Sequence, residues 1–366
     1  MKRVGGLWPQ IVSFENLLAA AHAAAKGKRR RPDVAKFLMN LEPELHKLRE
    51  ELVNGTYQPG PYRTFEVKDP KPRKISAAPF RDRVVHHALT RVIEPVFDRR
   101  FTTDCFACRK GFGTHKALER ARLAARKYPY VLKCDIRRYF PSIDHEILRS
   151  LLARVIKCPQ TLELAGRIID GSNPQEEVIA YYPGDNLFTP FERRRGLPLG
   201  NQTSQFFANV YLSPLDHHVR QILCPADYVR YVDDFLVFGT RKTELKELRR
   251  RIEEFLAPLR LQMHPGKSRI YRVADGVTFL GWRIFPDRLR LDRGNAVRFR
   301  KRLGAMVEQY RAGAVSVEEL RTRVRAWIAH ANHGDTWQLR RSLFSRYKIR
   351  PRSTVSNGVA RGFVEQ

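Results

Sequence analysis

Tyr228-Val229-Arg230-Tyr231-Val232-Asp233-Asp234-Phe235-Leu236-Val237-Phe238-Gly239 sets two adjacent acids between two short runs rich in β-forming residues. The pattern predicts two strands that turn into each other, with Asp233 and Asp234 at the hairpin tip. Adjacent carboxylates repel, so such a tip needs solvent or a cation. The chain has 366 residues and carries 68 Lys and Arg against 38 Asp and Glu, a formal net charge of +30. That imbalance points to a polyanionic partner, DNA or RNA. It makes a divalent metal serving nucleic-acid chemistry the reading of interest for the paired acids. Basic residues run from Lys28–Arg31 to Arg346–Arg352 rather than forming one tail, as expected of a groove that follows a duplex backbone.

No apolar run approaches the roughly 20 residues that cross a bilayer, so no membrane association is expected. Leu17–Ala25 is Ala-rich, but Glu15, Asn16 and His22 break up the apolar stretch. Ser13 reads as a cap and Gly27 as a stop, which makes a short helix rather than a secretory signal. The five cysteines are odd in number and lack disulfide-like spacing, which fits a reducing compartment and a cytoplasmic location. Cys105 and Cys108 form one CxxC without a second Cys/His pair, so buried thiols are preferred to a zinc site.

Along the chain, Val34–Val53 has one helical period and stops at Asn54-Gly55. Thr64–Pro79 reads as a hairpin turning through Asp69-Pro70-Lys71-Pro72, followed by a helix over about Asp82–Phe97. Tyr130–Asp135 is a buried strand ending in an acid, and a helix follows from about Asp144. Ile156–Arg195 is turn-rich, a helix plus an extended excursion, with Gly184-Asp185 as loop chemistry and Arg193–Arg195 placed to touch phosphate or to form a solvated turn. Phe206–Leu212 is helical, kinked or ended near Pro214. Thr243 caps an amphipathic helix with Leu245, Leu248, Ile252, Phe255 and Leu256 on one face. Strand signals return at Ile270-Tyr271, Val277–Leu280 and Trp282–Phe285, and Asn295–Tyr347 is helical and basic.

Two-metal phosphoryl transfer needs carboxylates that hold two cations roughly 3.5–4 Å apart. A third acid must therefore meet the hairpin pair. Asp135, at the end of its predicted strand, is the candidate; Asp144, in Ser-Ile-Asp-His before an apolar run, reads as a helix cap. The adjacent His86 and His87 diverge on a helix and are discounted as a metal pair. Tyr62, Tyr139, Phe140 and Trp282 could stack on bases, but aromatics are more often core, and only Phe140 has positional support.

With Thr64–Leu89, Phe106–Gly113, Asp135–Phe140, Tyr231–Asp234, Pro265-Gly266-Lys267 and Phe279–Trp282 in this order, the chain resembles a reverse transcriptase over residues 60 to 290. The resemblance implies that Asp135, Asp233 and Asp234 are catalytic. With Ile136 in the metal set, they would hold two Mg2+ ions, for which Mn2+ could substitute. It implies that Lys68, Arg73 and Lys74 hold the incoming triphosphate and that Arg109 faces template or nucleotide. Phe140 matches the steric gate against a ribose 2′-OH, and Lys267 matches a lysine that protonates departing pyrophosphate. Phe279, Leu280, Gly281 and Trp282 resemble the primer grip.

One stretch departs from the family's common pattern. Gly196-Leu197-Pro198-Leu199-Gly200-Asn201-Gln202-Thr203-Ser204-Gln205 has Leu199 where glutamine is usual and Gln205 where proline is usual. With Gly200 between them, this form resembles reverse transcriptases of diversity-generating retroelements, which copy a template-repeat RNA with frequent errors opposite adenine. A leucine cannot supply the amide hydrogen bonds that discriminate base pairs strongly. The plain alternative is that Leu199 only packs beneath the loop.

The expected fold is α+β, a right-hand polymerase with palm, fingers and a short helical thumb. Its parts would be a helical extension at 1–60, fingers at 61–125 and 150–195, palm at 126–149 and 196–290, thumb at 291–350 and a tail at 351–366. The expected partners are template RNA, primer, cDNA, dNTPs and a small basic accessory protein forming a ring. Nuclease or integrase functions would come from other chains. Rival readings are a phage-defence or truncated group II intron reverse transcriptase, and an RNA-binding scaffold with a vestigial site.

Overall fold

The computed structural model describes residues 2–68, 72–172 and 178–347. The expected turn at Asp69-Pro70-Lys71 and the tail at 351–366 lie outside them. The chain divides into two compact units, Met1–Asp275 and Gly276–Gln366.

The first unit opens with α1 (Trp8–Ile11) and α2 (Phe14–Ala25). The Ser13 side chain accepts from the Asn16 N–H, the cap expected from the sequence, and Leu17, Ala20, Ala21, Ala24 and Ala25 form the buried stripe. The single helix expected over Val34–Val53 is instead two, α3 (Pro32–Met39) and α4 (Leu41–Val53). Pro43 explains the break: in the first turn of α4 it costs nothing, but in a continuous helix its ring would strike the Met39 carbonyl. Strands β1 (Arg63–Lys68) and β2 (Pro72–Ala77) pair antiparallel, and α5 (Phe80–Asp98) follows. Next come α6 (Thr114–Lys127) and β3 (Tyr130–Asp135).

Beyond β3 lie α7 (Tyr139–Ser142), α8 (His145–Ala153), α9 (Pro159–Asp170) and α10 (Thr189–Glu192). Asp144 caps α8 by accepting from the Glu146 and Ile147 N–H groups, as expected. Helix α11 (Gln202–His218) runs through Pro214 and passes into a π-turn at Val219–Leu223, so this proline neither ends the helix nor marks its boundary. Strands β4 (Asp227–Tyr231) and β5 (Asp234–Gly239) form the hairpin predicted from the opening stretch. Helix α12 (Lys242–Leu256) begins one residue before Thr243; Arg241 holds the cap position without a side-chain bond. Strand β6 (Arg269–Arg272) closes the unit's main sheet, whose order β4-β5-β3-β6 is antiparallel throughout.

Strand β3 is central in that sheet, and its Val131, Leu132 and Cys134 are fully buried. Phe235–Phe238 of β5 is fully buried beside it. The second unit holds a small sheet of β7 (Val277–Phe279), β8 (Trp282–Ile284) and β9 (Leu289–Leu291). Three helices follow, α13 (Arg293–Arg311), α14 (Val317–Ala331) and α15 (Trp337–Arg346). Their own core includes Phe299, Leu303, Val307, Leu320 and Leu343. Among the described residues, no helix is long and apolar enough to cross a membrane.

Candidate active site

Strand β3 ends and strand β5 begins with an acid, and the β3–β5 register sets Asp135 directly opposite Asp234. Directly opposed residues project from the same face, with Cβ atoms about 4.5–5.5 Å apart. Tyr231 pairs with Asp234, leaving Val232 and Asp233 as a two-residue turn. Val232 has φ +58°, a left-handed conformation that a β-branched residue resists at a cost of about 1–3 kcal/mol. The Asp233 carbonyl accepts from the Ile136 N–H at 3.2 Å, tying the turn to the residue after Asp135. Asp135, distant in sequence, is thus joined to the adjacent Asp233 and Asp234 by the ladder and its turn.

Their electrostatics show mutual repulsion. Burial pushes the Asp234 carboxyl up to about 7, with Asp233 and Asp135 adding to the rise and Lys133, 3.7 Å away, opposing it. Asp233 is also raised, chiefly by burial and then by Asp135, while Lys267 and Arg73 oppose the rise. The Lys267 ammonium donates to both oxygens of Asp135, at 2.9 and 3.1 Å. Asp234 Oδ1 is buried, with no hydrogen-bond partner among the described residues.

Among the described residues, no three His, Cys, Asp or Glu side chains form a ready metal cage. The donor chemistry nonetheless fits a hard divalent cation: anionic oxygens that repel one another, one of them buried and unsatisfied. Asp135, Asp233 and Asp234 would supply those oxygens. Ile136 is buried, so its contribution would be limited to its carbonyl.

A loop and a hairpin stand beside the acids. Lys68, Arg73 and Lys74 are exposed on β1 and β2, and the charge of Arg73 reaches Asp233. The Leu199 carbonyl accepts from the Ser76 N–H at 3.0 Å, and Asn201 donates to the Ser76 carbonyl and accepts from the Ala78 N–H. Gly200 has φ +112°, and a Cβ there would lie 2.9 Å from Ile75 Cγ2, so this close seam requires glycine. The Phe140 carbonyl accepts from the Leu197 N–H at 2.9 Å, which brings the half-buried Phe140 to the same loop. Leu199 is half-buried, and Gln205 is exposed in the first turn of α11.

One expectation is corrected. Arg109 turns inward: its guanidinium pairs with Asp98 at 2.6 Å, donates to the carbonyls of Thr102 and Cys105, and lies 4.0 Å from the Phe112 ring centroid. With four donations to the protein and a nearly buried side chain, it is committed to the fold rather than presented to template or nucleotide. In the second unit, Phe279 and Trp282 pair across the β7–β8 hairpin and are fully buried, leaving Leu280 and Gly281 at its tip. Trp282 packs against His330 and is core, the commoner of the two outcomes expected for it. Tyr139 is core as well, its phenol donating to the Ala208 carbonyl at 2.5 Å.

The sequence reading passed over a buried ion pair beneath the turn. Arg230 and Asp216 are both fully buried, with Nε–Oδ1 at 2.6 Å and Nη2–Oδ2 at 2.5 Å. The available signal was an arginine between apolar residues in the middle of a strand.

Residues 67–284, more than half of the chain, match the family described as reverse transcriptase (RNA-dependent DNA polymerase). Protein YkfC of Escherichia coli K12 is 25% identical over 291 residues, spanning 68% of this chain and 73% of that protein. The group II intron-encoded protein LtrA of Lactococcus lactis is 24% identical over 214 residues, spanning 58% of this chain but only 33% of LtrA. A COX1/OXI3 intron 1 protein of Saccharomyces cerevisiae is matched over 37% of its length, so the chain spans about a third of these intron-encoded relatives. In fold, the structure is similar to apo telomerase from Candida tropicalis, with a TM-score of 0.50 and 13% identity over 79% of this chain and 59% of that one. The acid-bearing hairpin paired with β3, together with the match over residues 67–284, establishes that the chain belongs to the reverse transcriptase family of RNA-dependent DNA polymerases.

Proposed function

We propose that this chain copies RNA into DNA at Asp135, Asp233 and Asp234, and that it is the reverse transcriptase of a diversity-generating retroelement. The polymerase reading is carried by the opposition of Asp135 and Asp234 across the β3–β5 ladder with Asp233 in the adjoining turn. Two divalent cations, Mg2+ by expectation, would supply charge neutralisation at the attacking 3′ oxygen and the leaving phosphate. The protein's own groups have separate tasks. The three acids would bind the cations. Arg73, Lys68 and Lys74 offer positive charge to a triphosphate, and Lys267 is poised beside Asp135 to deliver a proton to pyrophosphate. Phe140, held at the Leu197–Gly200 loop, would stand against a ribose 2′-OH.

In the right-hand description, the main sheet with α11 would be the palm, the β1–β2 hairpin part of the fingers, and α13–α15 the thumb. The Leu280-Gly281 tip would be the part of the primer grip that reaches nucleic acid. The retroelement assignment rests on Leu199 and Gln205 in the loop form that lacks the usual glutamine and proline. On that reading the template is a repeat RNA, the product is adenine-mutagenised cDNA, and a basic ring protein is the partner. A group II intron-type role is the second reading, favoured by the likeness to LtrA.

The deciding experiment is extension of a DNA primer on an adenine-rich RNA template with Mg2+ and all four dNTPs, followed by sequencing of the cDNA. Substitutions concentrated opposite adenine support the retroelement assignment. Accurate cDNA assigns the chain to the intron-type reading, and no cDNA on any template removes the polymerase proposal.

A further inference from the structure

We propose that Arg230 is a positioning residue that sets the acid turn by gripping the Val232 carbonyl from beneath. The proposal rests on the reading that Asp233 serves a metal-dependent polymerase site. A guanidinium has five N–H donors, and those of Arg230 are all engaged. Nε and Nη2 bind the two oxygens of Asp216, and Nη2 also reaches Cys105 Sγ at 3.1 Å. Nη1 donates to the Val232 carbonyl at 2.9 Å and meets Asn209 Oδ1 at 3.4 Å. Asp216 is steadied in turn by the Tyr228 phenol at 2.9 Å, and Asn209 by its own donation to the Ala107 carbonyl at 2.7 Å.

Stability alone is a weak reason for this pair. Two fully buried charges pay a large desolvation cost, and well-packed apolar replacements are often neutral or stabilising. What apolar residues cannot do is hold the Val232 carbonyl. That carbonyl belongs to the residue at φ +58°, immediately before Asp233. Left alone, a β-branched residue there relaxes toward negative φ, which rotates the peptide and swings Asp233 away from the Asp135–Asp234 ladder. Arg230 sits two residues back on β4, a rigid strand whose own N–H donates to the Asp104 carbonyl at 2.8 Å. Asp216 sits on α11, the helix that starts at the Leu199–Gly200 loop. The ion pair therefore references the metal-binding turn to the same helix that carries the nucleotide-side loop.

Removing Arg230 alone strands a buried carboxylate, so the test replaces the cluster. The triple variant Arg230→Met/Asp216→Leu/Tyr228→Phe roughly keeps volume and removes this pair's two charges and the hydroxyl bonded to them. A second variant, Arg230→Lys, keeps the charge, but one ammonium cannot span Asp216 and the Val232 carbonyl. Three quantities are measured: thermal midpoint, Mn2+ affinity by electron paramagnetic resonance with Asp233→Asn as the reference for the acid site, and kcat and KM for dNTP in primer extension. The expected triple variant is folded, binds Mn2+ at the acids several-fold more weakly, and loses kcat by about 10²-fold with dNTP KM little changed. Arg230→Lys is expected to lose kcat in the same way. A folded triple variant with wild-type Mn2+ affinity and kcat overturns the proposal. So does a triple variant that fails to fold, which would make the pair structural, or an Arg230→Lys enzyme with full kcat. Wild-type protein that makes no cDNA sinks the polymerase reading alone, and Mn2+ affinity then decides the role of Arg230.

Discussion

Asp135 stands directly opposite Asp234 in the β3–β5 ladder, and the Lys267 ammonium sits on Asp135 at 2.9 and 3.1 Å. Two strands from distant parts of the chain thus bring carboxylates within mutual repulsion, and one lysine partly relieves it. Asp233 completes the group from the turn. Replacing Asp233 with Asn keeps the shape of the turn and removes a charge. Primer extension is expected to fall below detection while RNA affinity stays the same or rises, read by extension and filter binding on one preparation.

Asp234 gives a pH signature. Its carboxyl is held at about 7 in the folded chain, mainly by burial, whereas an unfolded aspartate ionises near 3.9. Between these values the folded state keeps a proton that the unfolded state has lost, so this group's stabilisation is full below the lower value and is lost as pH rises through the upper one. The loss is at most about 4 kcal/mol. Asp234→Asn in metal-free protein should therefore unfold at higher urea than wild type at pH 8 and nearly together with it at pH 4. Equal differences at both pH values would remove this account.

Lys267 competes with any cation for Asp135. Lys267→Met should bind Mn2+ a few-fold more tightly, because Asp135 loses its internal counter-ion. The same variant should turn over about 10²-fold more slowly if the ammonium also serves as proton donor. Isothermal titration and single-turnover extension separate the two effects.

Gly200 and Leu199 divide structure from fidelity. Gly200→Ala places a methyl 2.9 Å from Ile75 Cγ2 at φ +112° and should destabilise the chain by about 1–3 kcal/mol through the loop–hairpin seam. Leu199→Gln leaves the backbone bond from Ser76 in place and should lower errors opposite template adenine. An unchanged error spectrum would reduce Leu199 to packing.

Phe140 lies on the loop by its carbonyl and edge-on to Tyr139, with ring centroids 5.7 Å apart. Phe140→Ala should admit ribonucleotides, seen as primer extension with rNTPs alone. Continued refusal of rNTPs would place the 2′-OH discrimination elsewhere.

Much of this arrangement was legible before any coordinates. The β4–β5 hairpin, β3 ending in Asp135, and the Asp144 and Ser13 caps followed from alternation and capping chemistry, which are local properties of a few residues. The break at Asn40 was legible too, in Pro43, but the apolar period hid it. Arg109 misled because a lone arginine looks the same in sequence whether it meets solvent or Asp98 and Phe112. Base stacking and core packing both stayed open for Trp282 for a similar reason, since an aromatic carries no mark of the side it will bury.

By itself, the amino-acid order determined which acids exist, that two of them share a turn, and that the chain reads as a member of the reverse transcriptase family. Only tertiary structure decided that Asp135 faces Asp234, that Lys267 neutralises Asp135, and that Arg230 and Asp216 meet under Val232. The reason is physical. Turns and periods are set by neighbours within a few residues, whereas register and buried charge pairing are set by which distant surfaces exclude water from each other.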